Sequence, residues 1–341
     1  MTKILVAGGA GYIGAHTVKE LRKKGYGVVV FDNLSTGRRE FVRETELVVG
    51  DLEDKDEVRN VFRAHSISAV IHFASLIQVG ESYLHPQRYY TQNLTSSLNL
   101  LEIMLEAKVK SFIFSSSAAV YGVPRKLPIP EEHALSPINP YGYTKLFVEQ
   151  ILRDYDRAYG LKFISLRYFN ASGADPDGEM GECHDPETHL IPNILLAALG
   201  KKDVLEIFGT SFPTPDGTAI RDYIHVTDLA EAHVLALSRL MESPQSEFVN
   251  LGTNVGYSVR EVVAKAEKIT GRKVPVRERS NREGDVPVLL ASKDKAERLL
   301  GWRVHRSDIE TIIATAWNWH RKESNGPING DPMMERKSGT S

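Results

Sequence analysis

The most constraining feature of the chain is its opening. Ile4-Leu5-Val6-Ala7 runs directly into Gly8-Gly9-Ala10-Gly11-Tyr12-Ile13-Gly14. A short apolar run that stops at a glycine cluster predicts a buried strand, a tight turn and the start of a helix. Gly9, Gly11 and Gly14 match G-x-G-x-x-G, and Gly8, Gly11 and Gly14 match the related G-x-x-G-x-x-G spacing. Such spacing serves close backbone approach to a pyrophosphate, which then meets the free N–H groups of a helix N-terminus. A glycine-rich turn can also be purely structural, so a second feature has to decide. Asp32 ends the next predicted strand, eighteen residues after Gly14. There its carboxylate can accept both ribose hydroxyls of an adenosine and repel a 2′-phosphate, which favours NAD over NADP. Arg38 and Arg39 are the dissenting residues, since they are placed to meet such a phosphate. Asp51, after the third predicted strand, reads equally as an adenine contact or a turn residue.

The first half alternates β-branched runs with amphipathic stretches, the pattern of βαβ units around a parallel sheet. Strands are expected at Ile4–Ala7, Val28–Phe31, Leu47–Val49, Ala69–Phe73, Ser111–Ser115 and Phe163–Leu166, with the clearest helices at Asn93–Ala107 and Tyr141–Tyr159. The fold class is therefore α/β, a Rossmann-type doubly wound parallel sheet with a smaller C-terminal α/β substrate domain. Residues 1–170 are assigned to the dinucleotide-binding domain and 171–320 to the substrate domain, with 222–252 returning to the first. The polar, Gly-, Pro- and Ser-rich stretch 321–341 is expected to be disordered.

Bulk composition removes several function classes. A net charge of -2 with a pI near 6.6 provides no basic stripe for a phosphate backbone, so no nucleic-acid partner is expected. The longest apolar stretch, Ile67 to Ile77, is too short to span a bilayer and holds His72, so no membrane partner is expected either. With Cys183 the only cysteine there is no intrachain disulfide, and the N-terminus reads as a strand and not a signal peptide. The expected location is the cytoplasm.

Tyr141-Gly142-Tyr143-Thr144-Lys145 opens a predicted helix and sets Tyr141 and Lys145 one turn apart on one face. Upstream, Phe112-Ile113-Phe114 is an apolar strand ending in Ser115, Ser116 and Ser117, at the edge where open parallel sheets bind ligands. The trio Ser117, Tyr141 and Lys145 suits removal of an alcohol proton coupled to hydride transfer. A phenol serves as a base near neutrality only if its pKa falls by about 3 units, or roughly 4 kcal/mol of phenolate stabilisation. Lys145 and a positively charged nicotinamide can supply that together, while Ser117 holds the reacting hydroxyl in line.

Further motifs carry a resemblance. Asp32-Asn33-Leu34, Phe73-Ala74, Val79-Gly80-Glu81-Ser82, Tyr121-Gly122, Arg167-Tyr168-Phe169-Asn170, Arg221-Asp222-Tyr223-Ile224-His225-Val226 and Arg282-Glu283-Gly284-Asp285 join the glycine turn in order. Over residues 1–320 the chain resembles the extended short-chain dehydrogenase/reductase family, and within it the UDP-galactose 4-epimerases. The resemblance implies NAD as cofactor, a UDP-sugar as substrate and a homodimer paired through the helices at Asn93–Ala107 and Tyr141–Tyr159. It implies Tyr141 as base, Lys145 as its pKa partner and Ser117 as the positioning hydroxyl. It also implies NAD contacts from Gly8, Gly11, Tyr12, Ile13, Gly14, Asp32, Asn33, Asp51, Leu52, Phe73, Ala74, Asn93, Tyr141, Lys145 and Phe169. Ser117, Asn170, His189, Leu190, Phe208, Arg221, Arg282, Asp285 and Leu289 are implied on the substrate side.

Some positions depart from the family pattern. Ile77 stands where many such epimerases carry a Lys, Gln92-Asn93 replaces Asn-Asn, and His189 replaces an Asn. Leu289 stands where some members have a space-restricting Tyr, so N-acetylated UDP-hexosamines are expected to be accepted. Ala118 and Ala119 after Ser117 cannot move protons, which argues against a dehydratase. The intact trio argues against a non-catalytic NAD-sensing protein. Cys183-His184-Asp185 with His189 lacks a zinc spacing, so no metal is expected.

Overall fold

The computed structural model describes residues 2–282 and 284–325. The chain opens with β1 (Lys3–Ala7), α1 (Tyr12–Lys23), β2 (Gly27–Asp32), β3 (Glu46–Val49), α2 (Lys55–Ala64) and β4 (Ile67–His72). It continues with α3 (Val79–Leu84), α4 (Pro86–Glu106), β5 (Ser111–Ser117), α5 (Pro140–Tyr159), β6 (Lys162–Tyr168) and β7 (Asn170–Ser172). Then come α6 (Leu190–Ala198), β8 (Leu205–Phe208), β9 (Ile220–Arg221), β10 (Tyr223–His225), α7 (Val226–Glu242) and β11 (Glu247–Leu251). The last elements are β12 (Tyr257–Ser258), α8 (Val259–Thr270), β13 (Val276–Arg279), β14 (Val288–Leu289), α9 (Asp294–Leu300) and α10 (Ile309–Asn325).

Seven strands form one all-parallel sheet in the order β11-β6-β5-β4-β1-β2-β3. Runs such as Val28-Val29-Val30-Phe31 and Phe112-Ile113-Phe114 are buried on both faces, as a helix-covered parallel sheet requires. One face packs against α1 and α7 through Val18, Leu21, Leu237 and Leu240; the other packs against α4 and α5 through Leu100, Met104, Val148 and Leu152. The order reverses between β1 and β4, and open α/β sheets bind ligands outside the strands' carboxyl ends at such a switch point. A third apolar cluster joins α6, α8 and α10 through Leu195, Val262 and Ile312, apart from the sheet. Among the described residues no helix is long and apolar enough to cross a membrane.

Two element boundaries differ from expectation. The helix expected from Asn93 starts at Pro86, where proline occupies the first turn and the polar Gln87, Arg88 and Gln92 interrupt the apolar period. Helix α10 carries order through Asn325, past the expected boundary at 321, because Trp317, Trp319 and His320 bury one face while polar residues cover the other. The remainder of the expected tail, 326–341, lies outside the described residues.

Candidate active site

The glycine turn is shaped by close backbone approach. Gly8 has φ +77°, and a Cβ there would lie 2.5 Å from the backbone nitrogen of Ala74. A Cβ on Gly14 would lie 2.2 Å from the Gly8 carbonyl oxygen. Gly11 is the N-cap of α1, and no side chain hydrogen-bonds to cap that end. The first N–H groups of α1, those of Tyr12 and Ile13 among them, are thus presented at the positive end of the helix dipole. Phe73 and Ala74, just past β4, both donate their N–H to the Ala7 carbonyl, at 2.8 and 3.1 Å, which pins the neighbouring strand end to the turn.

Asp32 ends β2 buried, 7% exposed, with Oδ2 accepting the Ala10 N–H at 2.9 Å and Oδ1 the Leu34 N–H at 2.8 Å. Burial pushes its carboxyl above the usual range, and the two N–H donors oppose this. Each oxygen keeps acceptor capacity for a hydroxyl donor. Asp51 accepts from Asn33 Nδ2 at 3.0 Å, so both expected contacts sit at the same sheet edge. Arg38 is committed elsewhere: it meets the Cys183 thiol and donates to Glu323 at 3.0 Å. Its claim on a 2′-phosphate falls. The cradle of glycines, uncapped helix end and buried acid fits a dinucleotide with a free 2′-hydroxyl.

Other expected cofactor contacts are drawn partly into the fold itself. Tyr12 donates its hydroxyl to the Gly173 carbonyl at 2.7 Å, and Leu52 is buried in the sheet's core with its carbonyl taken by Asn99. Asn93 accepts from the Leu76 N–H at 2.8 Å and donates to Thr144 Oγ1 at 3.1 Å, holding the segment after β4 against α4 and α5. Phe169 packs with Leu289 against Val120 and Tyr121.

Ser117 ends β5, and its Oγ accepts the Ala119 N–H at 3.1 Å. Asn139 caps α5 by accepting the Gly142 N–H at 2.7 Å, and Pro140 occupies the first turn. This start places Tyr141 in the first turn of α5, where the Ser117 side chain acts on its phenol. Lys145, one turn on, is 3% exposed, donates to the Ser115 carbonyl at 2.9 Å and lies 5.7 Å from the Tyr141 ring centre. Burial pulls its pKa down to about 7, with Glu149 opposing. Burial pushes the Tyr141 phenol up, and the Ser117 hydrogen bond opposes that. The expected lowering of the phenol is therefore absent from the chain by itself. The low dielectric that isolates the site disfavours phenolate and ammonium alike.

A layer beneath the trio went unrecognised in the sequence. Glu149 is fully buried and accepts from Ser116 and Ser165, each at 2.8 Å, and from Arg167 Nε and Nη2 at 2.9 and 2.7 Å. It fixes α5 to β5 and β6, and so sets where Tyr141 and Lys145 stand. The (i, i+4) step from Lys145 to Glu149 was its only signal.

The substrate-side residues gather on small strands. β9 pairs in parallel with β14, setting Arg221 beside Leu289, while β10 pairs with β7, setting Tyr223 beside Asn170. Asp222, fully buried between them, accepts the Thr253 and Ala291 N–H groups and the Thr253 hydroxyl. Burial raises its pKa to about 6. Nothing in its motif signals this role, which depends on partners far along the chain. Arg221 donates to its own strand's Ile220 carbonyl; burial weakens its hold on its proton, opposed by Tyr223 and Asp285. Arg282 stacks on Phe208 with its guanidinium carbon 3.7 Å from the ring centre. Asn170 spends its amide on the Asp222 carbonyl at 2.8 Å. Leu190 begins α6 and packs into the third cluster. His189 stands at the N-cap position of that helix with no side-chain cap, its Nδ1 against Glu182.

Comparison with known proteins agrees with this geometry. Residues 4–252 match the model of the NAD dependent epimerase/dehydratase family. The UDP-glucose 4-epimerase of Rhizobium leguminosarum bv. trifolii is 47% identical over 94% of this chain and 98% of its own length. The chain belongs to the NAD dependent epimerase/dehydratase family, in its UDP-glucose 4-epimerase branch. The structure of UDP-glucose 4-epimerase from Brucella ovis in complex with NAD superposes with a TM-score of 0.91 at 52% identity, covering 93% of this chain and 98% of that one. That from Bifidobacterium longum in complex with NAD+ and UDP gives 0.90 at 41% identity, covering 95% and 100%.

Proposed function

We propose that this epimerase-family chain interconverts UDP-galactose and UDP-glucose by NAD-dependent inversion at carbon 4. The observation that carries the reading is buried Lys145, 5.7 Å from the Tyr141 ring centre and tied to the Ser115 carbonyl at the end of the strand that carries Ser117, on the same sheet as the glycine cradle and Asp32. When bound, NAD supplies a hydride acceptor at carbon 4 that is restored within the same turnover. Tyr141 takes the 4-hydroxyl proton and later returns one, and Ser117 holds the oxygen in line. Charge on Lys145 and on the cofactor ring supplies the phenolate stabilisation that the chain alone lacks.

The UDP portion is assigned to Arg221, Arg282, Asn170, Phe208 and Asp285. Arg221 is a buried guanidinium under-neutralised by its surroundings, and a diphosphate presents paired oxygen acceptors to the planar, bidentate fork of a guanidinium. Held by this end, the 4-keto sugar is free to turn its other face before the proton returns. Residues 1–170 with 222–252 are assigned to cofactor and 171–320 to substrate. Leu289 beside Arg221 leaves room at carbon 2, and N-acetylated UDP-hexosamines are accepted as well; turnover of UDP-N-acetylglucosamine below detection would refute this. A homodimer forms through α4 and α5, whose exposed Leu98, Tyr143 and Phe147 make an apolar face, and light scattering at the monomer mass would exclude it. The lone cysteine supports a reducing compartment, and the protein is assigned to the cytoplasm, which fractionation tests.

The experiment is incubation with UDP-galactose, without added cofactor, followed by NMR. UDP-glucose is the expected product. No product even after NAD is added would refute the assignment.

A further inference from the structure

The segment between β7 and α6 folds four ligand-type side chains onto one point. One ligand atom from each of Glu182, His184, Glu187 and His189 lies within 4.8 Å of all the others. The sequence hides this, since Glu182 and Glu187 carry no motif and the two histidines alone show no metal spacing. Folding supplies the missing carboxylates.

The arrangement is that of ligands around a common centre. His184 Nδ1 lies 3.3 Å from Glu182 Oε1 and 3.8 Å from Glu187 Oε2. The edge of a tetrahedron with metal–ligand bonds of about 2.1 Å is about 3.4 Å. His184 Nδ1 is sealed from solvent and makes no hydrogen bond despite that proximity. His189 Nδ1 abuts the same Glu182 oxygen. Glu187 is pre-oriented by its other oxygen, which accepts the N–H groups of Thr188 and His189 at 2.8 and 2.9 Å. Such outer hydrogen bonds orient metal ligands in protein sites. Glu182 is held from behind, its carbonyl accepting Trp319 Nε1 at 3.0 Å. No Lys or Arg pairs with either carboxylate among the described residues, although the side chains are only 3% and 7% exposed.

We propose that Glu182, His184, Glu187 and His189 bind one divalent ion of the Zn2+ type, fastening this segment to the start of α6. Two imidazoles with two carboxylates is a borderline donor set. It suits Zn2+ and its neighbours in the transition series and disfavours Mg2+ and Ca2+, which take oxygen ligands. Burial, and after it the charges of Glu182 and Glu187, push up the pKa of the Tyr12 hydroxyl in the first turn of α1.

The test loads the untagged full chain with Zn2+, and separately with Co2+, removes free metal by gel filtration and measures bound metal. About one ion per chain is expected, with the intense visible bands of four-coordinate Co2+ and a thermal midpoint raised by added Zn2+. His184→Ala and Glu187→Gln, each checked for folding by circular dichroism, should lose the ion and the Zn2+-dependent rise. Cys183→Ser should keep both. Background metal in the unmodified chain overturns the proposal, as does an unchanged ion in both variants or its loss in Cys183→Ser.

Discussion

Replacing Glu149 by Gln changes one oxygen to nitrogen and removes the charge that α5 shares with the sheet. Arg167 then keeps a buried cation, its side chain 1% exposed, whose carboxylate partner stood 2.7 Å away. Removing one member of a buried pair costs about 3–5 kcal/mol, because the other charge stays desolvated without compensation. The hydrogen bonds from Ser116 and Ser165 and both from Arg167 converge on the two Glu149 oxygens, so the Gln amide turns a donor toward donors whichever way it flips. For a chain of this size the expected fall in thermal midpoint is about 4–7 °C. Removing both charges, as Glu149→Leu with Arg167→Met, should restore most of the loss, since a packed apolar pair avoids the desolvation term. Denaturation of wild type, single and double variants by circular dichroism reads the comparison. A loss under about 1 kcal/mol in Glu149→Gln, or a double variant as unstable as the single, would refute the assignment of Glu149 as the charge anchor of α5.

Lys145 makes a pH prediction of definite sign. Its pKa falls from 10.5 to about 7 on folding, so below that range it is charged in both states and the burial penalty is fully present. Between about 7 and 10.5 only the unfolded chain holds the proton, and stability rises with pH by up to about 1.4 kcal/mol per unit before levelling off. Lys145→Met should flatten this rise and lower activity at least about 100-fold; a variant with the wild-type slope would contradict the burial argument. Gly8→Ala puts a Cβ 2.5 Å from the Ala74 nitrogen at φ +77°, and should strip NAD from the purified protein, read by chromatography of released nucleotide. Full NAD content in that variant would mean the turn is not the cofactor cradle.

The frame was legible because its signals are local. Two-sided apolar runs mark parallel strands, glycines mark the turn, and the Asp32 spacing needs only a strand and a helix to bridge it. Residues whose roles depend on long-range contact were not legible. Glu149 depends on Arg167 and Ser165 of a neighbouring strand, and Asp222 on Thr253 and Ala291, which folding alone brings near. The contact of His189 with Glu182, seven residues earlier, was not legible either, because it runs through a loop without periodicity. Nor was the burial of Tyr141 and Lys145 legible: residue identities at one-turn spacing show charges, whereas desolvation is set by what encloses them.

The central claim is that Tyr141 moves the proton of the 4-hydroxyl. The measurement is the rate at which Tyr141→Phe converts UDP-galactose to UDP-glucose, with NAD content and circular dichroism recorded on the same preparation. A folded, NAD-loaded variant slowed at least about 100-fold is the predicted result. Turnover within a few-fold of wild type would contradict the account and move the proton transfer to another group.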